Sequence, residues 1–152
     1  MGATQLTGGK NGSKRHLLVE GHGVPLSILV TGANRHDVTQ LAAVLDAKVA
    51  KPKGRRRQYL CADKGYHGQP AQEAIVARRY IPQVRCRGEE IDQKKRIPGY
   101  KPRRWVVEVT HSWFNRFRKL LVRYEKYADS YLALCHLAAA IICWRKVAPI
   151  YG

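Results

Sequence analysis

Acidic side chains are what this chain has least of: 11 Asp and Glu stand against 28 Lys and Arg in 152 residues, a formal net charge of +17. Self-repulsion at that level works against a compact state unless a polyanion is the partner, which makes nucleic acid the leading candidate. A ribosomal-type RNA binder and a merely soluble basic surface are the blander readings of composition alone. Paired cysteines are also missing. Cys61, Cys86, Cys135 and Cys143 lie far apart without a C-x-x-C pair, and three of them sit in apolar or strand-like surroundings, so they read as reduced structural thiols of a cytosolic protein. None of the six histidines stands at zinc spacing from a cysteine, and zinc is not expected. The opening MGATQLTGGKNGSK has no apolar core for a secretory signal, and Leu6 occupies the place where a myristoylation signal needs Ser or Thr. The longest apolar run, Tyr131 to Trp144, is interrupted by His136 and falls short of the roughly 20 residues that span a bilayer. It predicts a buried helix and no membrane partner. No internal repeat is visible.

What is present suffices for one domain with its own core, since 45% of the residues are hydrophobic. RHLLVE and PLSILVT, separated by the glycine-bracketed GHGV, predict a hairpin. Asp37 followed by Gln40 has the form of an N-cap, with a helix from there to about Val49. After the basic segment KPKGRRR, residues Tyr59 to Ala62 predict a short, fully buried strand, with Asp63 just past its end. Pro70 suits the first residue of a helix through PAQEAIVARRY, and IPQVR predicts a further strand. The order is therefore β-β-α-β-α-β, an α/β class. Arg87 to Arg104, punctuated by Pro98, Gly99 and Pro102, predicts a mobile loop. A long helix is expected from Trp105 to Lys126, and a last one capped by Asp129 or Ser130.

On a helical wheel Val106, Thr110, Trp113, Phe117, Leu120 and Tyr124 form one stripe of the long helix, with Glu108, His111, Ser112, Asn115 and Lys119 opposite. Glu108 is thus expected on the polar face, where the bland reading is a first-turn charge favoured by the helix dipole by about 0.3 to 1 kcal/mol. The sharper reading comes from its company. Asp63 at a strand end and Glu108 on a basic helix are two carboxylates in a chain with few, and Mg²⁺ takes one or two carboxylates beside water and phosphate oxygens. Two such ions about 3.5 to 4 Å apart can serve the attacking and leaving oxygens of a phosphodiester. Three basic clusters accompany them: Lys51 to Arg57, which includes Arg55, Arg56 and Arg57; Lys94 to Arg104; and Arg116, Arg118, Lys119 and Arg123. Together they favour tracking of phosphates with little base readout. Trp105 and Trp113 are candidates to stack on a flipped base, but Trp113 lies on the core stripe and is expected to be packed.

The blocks GSKRHLLVEGHGVPLSILVTGANRHD, CADKGYHG and RWVVEVTHSWFNRFRKLLVRYEK, in this order, resemble three consecutive blocks of the DDE transposases of the insertion sequence 4 and 5 superfamily. The likeness runs over about residues 12 to 147. It implies a ribonuclease-H-like mixed sheet flanked by helices, Mg²⁺ or Mn²⁺ as cofactor, DNA as partner, a homo-oligomer when complete, and a bacterial cytoplasmic, nucleoid-associated setting. It also implies that Asp63 is the second catalytic aspartate, Glu108 the catalytic glutamate and Arg104 the motif arginine. The motif lysine seven residues beyond the glutamate is Asn115 here, which leaves Arg116 or Lys119 as the phosphate contact. Val109 replaces the arginine that usually follows the glutamate, and Tyr100 is one residue out of register with the motif tyrosine.

The family's first aspartate lies on a strand upstream of SKRHLL, and the 13 residues before Lys14 contain no acidic residue. Glu20 and Asp37 are the nearest carboxylates, one at a hairpin turn and the other a helix cap. The expectation is a flexible segment over 1–13, a partial catalytic domain over 14–147 that lacks its first strand, and a tail over 148–152. The resemblance implies a truncated DNA-binding transposase domain for metal-dependent cleavage and strand transfer of insertion-sequence ends, expected to be inactive alone unless an upstream frame supplies the aspartate. The alternative is a non-catalytic DNA-binding remnant or an inhibitor of an intact transposase.

Overall fold

The structure, a computed structural model, describes residues 12–50, 57–62, 64–66, 68–84 and 105–151. The expected hairpin forms from β1 (Ser13–Val19) and β2 (Pro25–Gly32), antiparallel, with Leu17 opposite Ile28. Its turn closes on Glu20, whose carboxylate accepts the backbone N–H of His22 at 2.7 Å and of Val24 at 3.1 Å. Gly23 supplies the left-handed φ of 90° that the turn needs. A Cβ there would stand 3.0 Å from Thr110 and from the Trp113 ring, so any larger residue would be strained in its backbone and would have to push those side chains aside.

Helix α1 (Asp37–Asp46) follows, but Asp37 is not its cap. His36 takes the cap position without a side-chain bond, and Asp37 lies inside the first turn, where its carboxylate pairs with Lys14 Nζ at 3.1 Å. A salt link across to β1 has displaced the local capping role. Strand β3 (Gln58–Ala62) and strand β4 (Tyr80–Val84) pair in parallel, joined by a 3-10 turn (Lys64–Tyr66) and helix α2 (Gln69–Ala77). β3 is half-buried rather than fully buried. Leu60 and Ala62 point into the core while Tyr59 and Cys61 face outward, because only one face of this pair is covered. Pro70 falls in the first turn of α2, one residue after its start. The order β-β-α-β-α-β is as the sequence predicts, and the chain is α/β.

The long helix expected from Trp105 to Lys126 is two pieces, α3 (Trp105–Asn115) and the short α4 (Arg118–Leu121). Neither Gly nor Pro occurs at the break. Phe117 leaves helical geometry with ψ 107°, and the N–H groups of Arg116 and Phe117 fall back on the carbonyls of Trp113 and Phe114, three residues earlier. The bend turns Leu120 into the core, where its carbonyl accepts the Tyr131 hydroxyl at 3.0 Å. The last helix, α5 (Ala128–Tyr151), begins one residue before Asp129 and two before Ser130, the expected caps, and extends into the segment 148–152.

Two cores result. Leu17 and Ile28 from the hairpin meet Val107, Phe114, Leu120, Tyr131, Cys135, Ala138 and Ile142. Leu18, pointing the other way along β1, reaches the second, built from Leu41, Leu45, Leu60, Ala62, Tyr66, Ala71, Ile75 and Tyr80. The hairpin is thus a layer between the C-terminal helices and α1. Ser27 Oγ, donating to the Val44 carbonyl at 2.6 Å, fastens β2 to α1. The two strand pairs remain separate ladders among the described residues.

Candidate active site

The C-terminal helices set the site. Val106, Val107, Thr110, His111 and Phe114 form the buried face of α3, which lies over β1 through Leu17. Thr110 clamps the helix to the hairpin turn, donating to the Gly23 carbonyl at 2.7 Å. Glu108 lies outside this buried arc and is exposed, as the sequence predicts. The arc itself is turned from the predicted stripe. His111 is buried rather than polar-face, Tyr124 is exposed, and Phe114, absent from that stripe, is fully buried. The rotation follows from what α3 must cover, the odd-numbered face of β1.

That face carries an arginine. Arg15 alternates with Leu17 on β1, is 8% exposed, donates to the Asn115 side-chain oxygen and stacks 5.7 Å from the centre of the Phe114 ring. Its other terminal nitrogen is buried without a hydrogen-bond partner, as are both ring nitrogens of His111. Burial, aided by the Arg15 charge, pushes the His111 pKa down to about 4, so the ring is neutral near pH 7. A line of polar groups, Arg15, His111 and Asn115, therefore lies under the helix that carries Glu108. The sequence reading missed Arg15; its signal was the parity that puts it on the side of Leu17 and Val19.

On the other face of β1, His16 Nε2 is 2.7 Å from Thr31 Oγ1 and Nδ1 is 3.5 Å from Asp37. Burial lowers the His16 pKa against the pull of Asp37. These contacts tie β1, β2 and α1 together and engage Asp37 away from Glu108. Glu20 is equally engaged. Although burial works the other way, the N–H groups of Val24 and His22 and the His22 ring hold its carboxyl below the ordinary value.

Asp63, Arg104, Arg55 and Arg56 lie outside the described residues, as do Cys86, Tyr100 and the loop expected over Arg87 to Arg104. Asp63 directly follows the last residue of β3 in the chain. Arg57, Arg116 and Lys119 are exposed. Arg123, grouped with them by sequence, is a structural arginine: it donates to Ser13 Oγ and to the carbonyls of Glu125 and Lys126, at 2.9 and 3.2 Å, and stacks on Tyr131. Trp113 is packed as expected, against the first core with Lys146 Nζ 4.1 Å over its ring. Among the described residues no group of three or more His, Cys, Asp or Glu is placed to hold a metal ion.

Residues 3–143 match the family model described as the transposase DDE domain. The chain belongs to the DDE transposase family. It is also 36% identical over 141 residues to a Burkholderia cepacia protein named "Putative transposase for insertion sequence element IS402", covering 90% of this chain and 64% of that relative's length. No solved structure matches. DDE transposases act on DNA and generally use divalent metal ions.

Proposed function

We propose that this chain is the metal- and DNA-binding part of an insertion-sequence transposase, with a ribonuclease-H-like arrangement in which Asp63 and Glu108 hold Mg²⁺ or Mn²⁺ for cleavage and strand transfer at transposon ends. The observation that carries the reading is Glu108: an exposed carboxylate on a helix whose opposite side is packed onto β1, inside a chain that matches the family over residues 3–143. Carboxylate oxygens are the hard donors such ions take, and His111, one turn along, is buried and offers no competing nitrogen at the surface. The bound ions would activate the attacking oxygen and stabilise the leaving one. The protein's own part is to hold Glu108 on a rigid helix and to position phosphates with Arg104, Arg116, Lys119 and the Arg55, Arg56 and Arg57 run.

The order of pairing supports the ribonuclease-H-like reading. An antiparallel hairpin, a covering helix and a parallel β-α-β unit follow each other, and the two ladders would join into one mixed sheet through a strand that pairs with both. The third carboxylate belongs on that strand. Glu20 and Asp37 do not replace it, being engaged in the turn and with Lys14. In a bacterial cell the protein would work in the cytoplasm, at the nucleoid.

The test is Mn²⁺- or Mg²⁺-dependent nicking of transposon-end DNA by this chain, beside Asp63→Ala and Glu108→Ala. Nicking lost in both variants supports the assignment. Nicking that survives either one overturns it for that residue. Salt-sensitive binding without any nicking would leave a DNA-binding remnant able to compete with an intact transposase.

A further inference from the structure

Arg15 is a buried cation with no counter-charge. Its side chain reaches from β1 to the underside of α3, is 8% exposed, and forms no ion pair with any carboxylate among the described residues. Glu125, whose charge is felt at Tyr131 and Cys135, is not paired with it either. The groups packed around the guanidinium are neutral. Burial keeps the His111 ring unprotonated near pH 7 and pushes the Tyr131 hydroxyl and the Cys135 thiol up, the thiol to about 11. Nη1 is buried without a partner, while Nη2 donates to the side-chain oxygen of Asn115. A charge taken out of water and left unanswered is far more costly than one with a partner, so the position favours the arrival of an anion.

The way out of the core runs through Asn115. A guanidinium can only donate, so the amide turns its oxygen down to Arg15 and its nitrogen the other way. Asn115 is half-buried at the end of α3, and its Nδ2 has no partner among the described residues. A donor with a charge behind it in low dielectric is polarised by that charge, and the field of an uncompensated cation emerges where water can reach it. Lys119, exposed four residues on, adds to the positive potential there.

We propose that Asn115 and Arg15 form a subsite for one phosphate of a DNA backbone, with Asn115 Nδ2 donating to a phosphate oxygen and Arg15 supplying the charge from beneath. The charge balance selects the ligand: a phosphodiester brings a single negative charge to a single unanswered positive one, in a chain whose net charge of +17 suits a polyanion. Arg15 is a positioning residue, since it acts through the amide and does not touch DNA. The subsite rests on the reading of the chain as a DNA-acting protein for the source of the phosphate, and is independent of the metal assignment.

Asn115→Asp separates this role from a structural one, because the two respond with opposite signs. A carboxylate at that position gives Arg15 its missing counter-charge and removes the donor that faces DNA. The urea midpoint should rise, while affinity for duplex DNA of arbitrary sequence, read by fluorescence anisotropy, should fall about tenfold and the slope of log K against log salt should drop by about one. Gln72→Glu makes the same change of charge at an exposed position on α2 and should leave the slope and the midpoint nearly as they were. Arg15→Met combined with Asn115→Lys returns the charge by another route and should restore affinity. Equal losses in Asn115→Asp and Gln72→Glu overturn the subsite. So does a urea midpoint that falls in Asn115→Asp, or a folded double variant that binds no better than Asn115→Asp.

Inorganic phosphate supplies a readout without DNA. At an ionic strength held constant with chloride, phosphate should raise the urea midpoint of the native chain and not that of Asn115→Asp. That dependence in a chain that binds no DNA would overturn DNA as the source and keep the phosphate site. Its absence from a chain that does bind DNA would overturn the site itself.

Discussion

At the scale of single residues, the site divides into groups that hold the fold and groups left free for chemistry. Glu108 is exposed and contributes no packing, so Glu108→Ala should change the urea unfolding free energy by less than about 0.5 kcal/mol while weakening the binding of Mn²⁺ that the proposed function assigns to it. A large stability loss would mean that the carboxylate is structural. His111 behaves in the opposite way. Its folded-state pKa of about 4 lies below the ordinary 6.5, so the unfolded chain binds the proton more readily between these values. The neutral ring's contribution is present above pH 6.5 and is lost as pH falls toward 4, on the order of 3 kcal/mol in all. Urea midpoints across that range should drop for the native chain and drop less for His111→Leu. Equal slopes would refute the assignment. Glu108 was legible in the sequence because polar-face position follows from spacing. The burial of His111 was not, because Arg15 and Phe114, which set how α3 rolls onto β1, belong to different parts of the chain or were hidden between stripe positions.

At the scale of elements, local signals fixed the existence and order of strands and helices, while contacts set where they end. The break at Arg116–Phe117 has no breaker residue; it exists because Leu120 must reach Tyr131. Asp37 has the residue type expected of a cap, but His36 holds the cap position and the Asp37 carboxylate pairs with Lys14 instead. The end of α2 carries a strain that can be removed. Arg79 sits at φ 65°, the left-handed conformation that closes a helix and costs an L-residue about 1 to 2 kcal/mol. Arg79→Gly should stabilise the protein by about 1 kcal/mol in urea titration, and a loss instead would mean that the Arg79 side chain does more than follow the turn. The Asp46–Arg78 pair beside it, two-pronged at 2.7 and 2.6 Å, ties the ends of α1 and α2 and should remain.

At the scale of the whole molecule, the +17 charge and the separate ladders make two further predictions. DNA binding should fall steeply with salt, and replacing Arg55, Arg56 and Arg57 together by Ala should reduce the slope of log K against log salt by up to about 3, near one per phosphate contact. An unchanged slope would place the DNA elsewhere. The outer edge of β1 pairs with no strand among the described residues, so the β1 amides that point away from β2 should exchange with solvent faster than those bonded to it. Uniform protection along β1 would show that the edge is covered.

The sequence by itself determined the strongly basic charge, the β-β-α-β-α-β order, the exposure of Glu108 and the family blocks, because charge, side-chain period and motif spacing are local properties. Only the tertiary structure decided that β3 has one covered face, that α3 rolls to bury His111 against Arg15, that Arg123 is spent on Ser13 and Tyr131, and that α5, expected to be buried, leaves Leu137 and Trp144 exposed. Each of these depends on which distant surface an element meets, and burial is a property of that meeting rather than of the element.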